Sequence, residues 1–460
     1  MKTLIDSGHA LQRGLLAIRR EFAVPDGFPP QVEAAAAAAA QRAPTEHVDR
    51  TAMRFVTLDP ATSTDLDQAF AIERSGHDML LHYAIADVAW FVADGDPVDV
   101  EAWKRGTTLY LPDGKAGLYP PVLAEEAASL LPDGPRPAVI FTVRVAPDGA
   151  VKLDGAERAI IRSGAKLAYD SVRDTDLPDG FAELSARVQA AEARRGASRV
   201  DPPEQEVSAL PDGGFDLRFA PRLESEARNA ALSLATNMAV ADLLLAHQTG
   251  LFRVMAAPDD HAVARLRITA AALGIDWAAD VPLDAIERRL DGHDPKQAAF
   301  MTAIRRNGGG ASYAPYRDGV VPWHAAMAAT YAHATAPLRR LADRYVIRAT
   351  LAIASGQPVP EAVTAAFETL PTVMARADAI GGRIDRAVID LAEAVMLAGS
   401  VGETFAAVVT DVEARAARIQ LCDEPVVARV AATGVVPGER IDVVLRAADA
   451  EKRVLTFERG

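Results

Sequence analysis

Cysteine is nearly missing from this chain: Cys422 is the only one in 460 residues. No disulfide can form within the chain, and this usage reads as that of a cytoplasmic protein. Long apolar runs are missing too. The first residues, MKTLIDSGHALQRGLLAIRR, hold no continuous apolar stretch and no small-residue cleavage site, so they do not read as a signal peptide. The most apolar long segment, NAALSLATNMAVADLLLAH, carries two Asn, an Asp and a His and reads as a buried helix, not a membrane span. Positive charge is in deficit, with 49 Lys and Arg against 63 Asp and Glu and a net charge of −14. That excludes general adhesion to polyanions but leaves room for a local basic channel. Arginines cluster at 194–195, at 305–306 and in LRRLADR at 338–344; each cluster taken alone reads as a solvated helix face.

What is present is an ordinary globular composition, 50% hydrophobic and 24% charged, in a chain long enough for two or three units. Residues 1–50 predict a small helical module, a helix-turn-helix variant. One helix runs through LIDSGHALQRGLLAIRREF; a second follows Pro29 and Pro30 into an alanine run at 34–40. Residues 51–160 predict strands (MRFVTL, AFAIER, MLLHYAIADVAWFV, AVIFTVRVA, VKLDGAERAII) separated by turns. PDG recurs at 112–114, 132–134, 147–149, 178–180 and 211–213, unevenly spaced, and so marks turns and not repeats. Helices are expected over 181–200, 221–250, much of 258–306, 324–355 and 361–400. The last sixty residues alternate with period two and have the length of a small oligonucleotide-binding barrel. The fold class is α+β: a helical module at 1–50, a mixed sheet surrounded by helices at 51–400, and a barrel at 401–460.

The segment TLDPATSTDLDQAF crowds Asp59, Asp65 and Asp67 into nine positions. On an extended segment Asp65 and Asp67 point the same way, and Asp59 returns to them if PATST loops. Converging carboxylates repel unless a cation neutralises them, and oxygen-only donors suit Mg²⁺ or Mn²⁺. A hard ion held so serves phosphate chemistry. A calcium EF-hand fails, because Ala61 and Thr64 stand at its third and sixth positions. A nucleophilic Asp65-Leu-Asp67 pair would sit at the end of a hydrophobic strand, and STDLDQ does not place it there. Short acidic turns also arise without function, so spacing alone leaves both readings open.

The wider context of that segment resembles the signature of the ribonuclease II, or RNB, family of exoribonucleases. The resemblance continues collinearly through AIADVAWFVADGDPVDVEAWKRGTTLYLPDG and AIIRSGAKLAYDSV to WHAAMAATYAHATAPLRRLADRYVIR, across roughly residues 51–350. It implies a hydrolytic 3′→5′ exoribonuclease that releases nucleoside 5′-monophosphates from the 3′ end of single-stranded RNA. Asp59, Asp65 and Asp67 match clustered metal-binding aspartates, with Asp67 tied most closely to catalysis and Mg²⁺, or alternatively Mn²⁺, implied there. Tyr110 and Tyr169 match tyrosines that stack on and clamp the terminal nucleotides. Arg339, in TAPLRR, matches the arginine on the scissile phosphate, where a planar guanidinium bridges two oxygens. The barrel resembles the S1 module of the family.

Departures from the family pattern accompany the matches. The fourth aspartate position is Gln68, a neutral and weaker ligand. Ala336 replaces a serine, and His324-Ala325-Ala326 stands for HFG. Ala230 stands where a glutamate engages the 3′ end, and no phenylalanine replaces the second stacking aromatic near 200–206. The family's cold-shock barrels do not precede the catalytic blocks, which predicts a more open entrance and admission of partly structured RNA. These changes support a competing reading, a non-catalytic RNA-binding member. A metal phosphohydrolase of small molecules would need neither the barrel nor the paired aromatics. The remaining expectations are no membrane, no obligate protein partner, and a monomer.

Overall fold

Alternation in MRFVTL becomes the strand Phe55–Asp59, with Phe55, Thr57 and Leu58 buried. The computed structural model describes residues 9–197, 204–210, 214–220, 222–292, 294–412 and 415–460. Phe55–Asp59 lies in a mixed sheet with Gln68–Ser75, Asp78–Ala86, Pro135–Val145 and the 18-residue strand Val151–Ala168. That last strand does two jobs. Its first part pairs antiparallel with Pro135–Val145, and its last part pairs parallel with Phe55–Asp59. One strand thus joins both edges, and the sheet curls until no long edge is left open. A two-residue strand, Val48–Asp49, adds to its outside.

The helix Glu224–Ala246 lies against this sheet, with Leu232, Ala235, Val240 and Leu244 fully buried. It is the one described helix long and apolar enough to cross a bilayer, and here its apolar side is spent on the core. The helix Glu361–Leu397, about 55 Å long at helical rise, joins two cores. Val363, Leu370 and Met374 belong to the core of the sheet. Ile384, Leu391 and Leu397 belong to a second core made with the barrel. The helices Asp260–Leu273, Leu283–Glu287 and Pro295–Asn307 share a small third core around Leu266 and Phe300.

The last strands, Thr404–Val412, Ala417–Leu421, Val427–Ala431, Arg440–Asp449 and Val454–Arg459, close into a five-stranded barrel. The expected barrel is therefore present, and so is the α+β architecture ahead of it.

Three expectations change. The strand read through MLLHYAIADVAWFV ends at Ala86, and Val88–Phe91 is a short helix. The two N-terminal helices form, as Ala10–Glu21 and Pro30–Ala40, but they are no separate module. Leu11, Leu15 and Ile18 of the first enter the barrel core, while Val32 and Ala36 of the second enter the sheet core. Fully burying each of the first three is worth about 1.5–3 kcal/mol, so each helix is held by the core it enters. Residues 324–340, expected to be helical, hold only the single 3₁₀ turn Ala325–Met327, and the α-helix starts at Leu341. Side chains from elsewhere take the backbone amides that a helix would use. Asn237 Oδ1 accepts from the Ala334 amide at 2.9 Å, and Asp343 Oδ2 accepts from those of Thr335 and Ala336 at 3.0 and 2.8 Å. The PDG turn at 211–213 lies outside the described residues, as do 200–203 of the region 200–206 searched for a second aromatic.

Candidate active site

Parallel pairing sets Asp59 opposite Ala168, so Asp59 and Tyr169 emerge together from one end of the curled sheet. The Tyr169 amide donates to the Asp59 carbonyl at 3.2 Å. The loop that follows Asp59 is pinned by three hydrogen bonds to two residues. Lys166 Nζ donates to the Ala61 carbonyl at 2.8 Å, Ser129 Oγ donates to the Thr64 carbonyl at 2.7 Å, and the Leu66 amide donates to Ser129 Oγ at 2.9 Å. Asp65 and Asp67 therefore return to the strand end that carries Asp59, as the looped segment required.

Asp67 is buried. Its Oδ1 accepts from the Leu338 amide at 2.7 Å, and its Oδ2 lies 3.5 Å from Arg339 Nε. Burial pushes its carboxyl up to about 8, with Asp343 and Asp65 adding repulsion while Arg339 and the Leu338 amide oppose it. Asp59 is pushed up to about 6, again mainly by burial, with Arg339 opposing and Asp65 repelling. Arg339 is thus the cation that both acids feel. Its side chain is 43% exposed, so it keeps an open face. Its backbone is fixed: the Thr108 amide and Thr107 Oγ1 donate to the Arg339 carbonyl at 3.0 and 2.7 Å. Next to it, Arg340 forks onto Asp343 at 2.9 and 2.8 Å. Gly106 makes the turn into Thr107 possible: its φ is +74°, and a Cβ there would lie 2.9 Å from the Ala377 methyl.

The tyrosines flank this arrangement. Tyr110 is half exposed, and its hydroxyl donates to Asp65 Oδ2 at 2.9 Å. Tyr169 is held from behind, where Asn229 Nδ2 donates to its hydroxyl at 2.8 Å and Ser225 Oγ donates to its carbonyl at 2.7 Å. Two partners escaped sequence reasoning. Lys115 lies directly opposite Tyr110 in the hairpin Leu109–Leu111/Gly114–Ala116 and reaches Asp65 Oδ1 at 2.8 Å. The hairpin turn at PDG was legible, and pairing across it would have found Lys115. The other is Tyr83, fully buried, whose hydroxyl donates to Gln68 Oε1. The two lie on neighbouring strands of the hairpin Gln68–Ser75/Asp78–Ala86, so pairing across its turn brings them close.

The site can be tested against a hard divalent ion. Among the described residues no three His, Cys, Asp or Glu side chains converge as a ready cage. Of the four expected ligands, Asp65 is turned to Lys115 and Tyr110, and Gln68 to Tyr83. Asp59 and Asp67 remain, two acids whose negative charge is penalised by burial. That set fits Mg²⁺, which commonly takes one or two carboxylates and completes its shell with water and substrate phosphate.

A curled mixed sheet presenting clustered aspartates, an arginine and two tyrosines at one end, joined by a long helix to a five-stranded barrel, defines an α+β protein with an S1-type appendage. Residues 47–356 match the RNB domain, and residues 403–460 match the RNase II-type exonuclease C-terminal S1 domain. The chain belongs to the RNB family. It is 28% identical over 433 residues to ribonuclease R of Aquifex aeolicus, an alignment covering 86% of this chain and 60% of that protein. The chain spans about half the length of the curated relatives it matches. Its fold superposes on Mycoplasma genitalium RNase R, solved in complex with ribose methylated single-stranded RNA. The TM-score is 0.86 at 19% identity, covering 99% of this chain and 79% of that one. It also superposes on yeast Ssd1, described as a pseudonuclease, with a TM-score of 0.69 at 16% identity, covering 96% and 58%.

Proposed function

We propose that this protein is a divalent-metal-dependent, hydrolytic 3′→5′ exoribonuclease that shortens single-stranded RNA to nucleoside 5′-monophosphates. The observation that carries the reading is the meeting of Asp59 and Asp67 with the open-faced Arg339, flanked by Tyr110 and Tyr169. A fold shared with a pseudonuclease does not decide activity; the retention of that set in this chain favours catalysis.

In this reading the 3′-terminal nucleotides lie between Tyr110 and Tyr169, whose rings accept any base. Asn229 and the Asp59 carbonyl hold Tyr169 in place. Arg339 places its guanidinium on the non-bridging oxygens of the last phosphodiester and stabilises charge as it develops. Asp59 and Asp67 would hold Mg²⁺, which supplies an activated water and a counter-charge to the leaving oxygen when bound. Lys115 holds Asp65, and Asp65 in turn holds the Tyr110 hydroxyl. That chain of contacts fixes the clamp relative to the acids.

Oligoribonucleotides labelled at the 3′ or the 5′ end, incubated with Mg²⁺, test this. Release of the 3′ label as a mononucleotide, lost in Asp67→Asn, is the expected result. RNA that stays intact at high protein but is retained on a filter would replace this reading with the non-catalytic RNA-binding one, which the engagement of Gln68 by Tyr83 favours.

A further inference from the structure

Lys115 Nζ sits among three oxygens: Asp65 Oδ1 at 2.8 Å, Glu125 Oε1 at 3.3 Å and Thr64 Oγ1 at 3.5 Å. An ammonium has three protons to donate, and here each has an acceptor. Glu125, on the short helix Val122–Ala127, is fixed in turn, because Thr64 Oγ1 donates to its Oε2 at 2.8 Å. The hairpin register aims the lysine at this spot. Lys115 faces Tyr110 across the hairpin, and the two take one oxygen each of Asp65. The Lys115 side chain is 23% exposed, against 66% for Lys104 and 80% for Lys452, so it is held within the site and not solvated at its rim.

Two carboxylates and a hydroxyl are also an oxygen set that suits a hard divalent ion. Sites for phosphate chemistry often hold two such ions, one for the attacking and one for the leaving oxygen. In this chain Asp65 has both oxygens engaged, so a second ion there has to displace the ammonium and the Tyr110 hydroxyl. The charge of Asp65 is also felt by the other two acids: it pushes the carboxyls of Asp59 and Asp67 upward. The ammonium beside Asp65 offsets that charge at its source.

We infer that the Lys115 ammonium is a resident cation. It takes the place at Asp65 that a second divalent ion would fill, so that the site binds one divalent ion, at Asp59 and Asp67. Lys115 is thereby a positioning residue that acts through Asp65, and Glu125 keeps it in place. This rests on the reading of Asp59 and Asp67 as the acids that hold Mg²⁺ in an exoribonuclease.

Mn²⁺ alone, titrated into the full chain without RNA and counted from the electron paramagnetic resonance signal of the free ion, tests this. Wild type is expected to bind about one ion and Lys115→Ala about two, because Asp65, Glu125 and Thr64 then face a cation without the ammonium between them. Lys115→Arg keeps the positive charge and is expected to stay at about one ion. Lys115→Ala combined with Glu125→Gln removes one acid from the set and is expected to return to about one ion. The single and the double variant both lack Lys115, so a difference in count between them is not an effect of misfolding. In activity assays the Mn²⁺ dependence of Lys115→Ala is expected to steepen, its Hill coefficient rising from about one to about two. A second ion on wild type, no second ion on Lys115→Ala, or a second ion that persists in the double variant overturns the inference and leaves the exoribonuclease reading standing. No ion on wild type overturns the metal-dependent reading and this inference with it.

Discussion

The amide of Leu338 donates to Asp67 across 271 residues of sequence, at 2.7 Å. One hydrogen bond thereby joins the aspartate-rich segment to the segment that carries Arg339. The contact stabilises a negative charge that burial otherwise penalises, so the acid is held ready at the expense of stability, as is common at functional sites.

Asp67→Asn should separate those two effects. The amide oxygen can still accept from Leu338, but the charge is gone. Turnover is expected to fall by about 100-fold or more, while the melting temperature measured in chelator rises. Thermal melts and single-turnover assays on the same preparation check both signs.

Arg339→Lys is expected to fail nearly as badly as Arg339→Ala. Lysine offers a point charge where a planar fork is needed to bridge two oxygens. A fall in kcat of about 100-fold in both variants, with KM changed much less, is the expected pattern. Full activity in the lysine variant would show that charge alone suffices.

Gln68→Asp places a carboxylate where Tyr83 now donates to an amide oxygen. In chelator this adds a partly buried charge and is expected to lower stability by about 1–3 kcal/mol. With Mg²⁺ the added oxygen is expected to lower the ion concentration for half-maximal activity by about tenfold. Metal titrations of wild type and variant check this. An unchanged midpoint would show that the fourth position contributes little to ion binding.

Arg19 forks onto Asp113 at 2.9 and 2.8 Å and donates to the Gly114 carbonyl at 3.0 Å. Asp113 lies in the turn, and Gly114 opens the second strand, of the hairpin whose strands carry Tyr110 and Lys115. The N-terminal helix therefore braces the clamp from outside the site. Arg19→Ala is expected to raise KM several-fold and to lower stability by about 1 kcal/mol. A double-mutant cycle with Asp113→Ala should show that the two effects are not additive.

Glu393 is buried where the long helix meets the barrel. Its Oε1 accepts from Gln205 Nε2 at 2.6 Å and from the Val427 amide at 2.8 Å. Burial nonetheless pushes its carboxyl up to about 7. A raised pKa means that the folded state holds its proton over a range where the unfolded chain has lost it. Stability from this group is full below about pH 4.5 and declines as pH rises through about 7. Glu393→Gln keeps the acceptor and removes the titration. At pH 8 it is expected to be more stable than wild type by about 3 kcal/mol, and melting curves from pH 4 to 8 should be less steep than those of wild type, the remaining slope coming from Asp59 and Asp67.

How much of this was legible in sequence depends on the range of the interaction involved. Period-two alternation reported the barrel strands, because one face of each strand is buried whatever its partner. Collinear blocks pointed to Asp59, Asp67, Tyr110, Tyr169 and Arg339, which the structure gathers at one end of the sheet. Reading 324–340 as helix failed for a physical reason. Asn237, Asp343 and Asp67 take the amides of that stretch, and no window around it contains all three. The N-terminal helices read as one module because local propensity reports that a helix forms and is silent about which core receives it.

By itself, then, the sequence determined the kinds of elements, the crowding of Asp59, Asp65 and Asp67, and the presence of an arginine and two tyrosines far apart in the chain. Those features follow from residue type and short-range spacing. Only the tertiary structure decided how the four expected ligands divide: Asp59 and Asp67 face Arg339, Asp65 is taken by Lys115 and Tyr110, and Gln68 is taken by Tyr83. The reason is that a buried hydroxyl or carboxylate must find its partner in space. Hairpin pairing brings Tyr83 near Gln68 and Lys115 near Tyr110, but the contacts of Asp65 with Lys115 and Tyr110, and of Asp67 with Arg339, join segments that no local pattern connects.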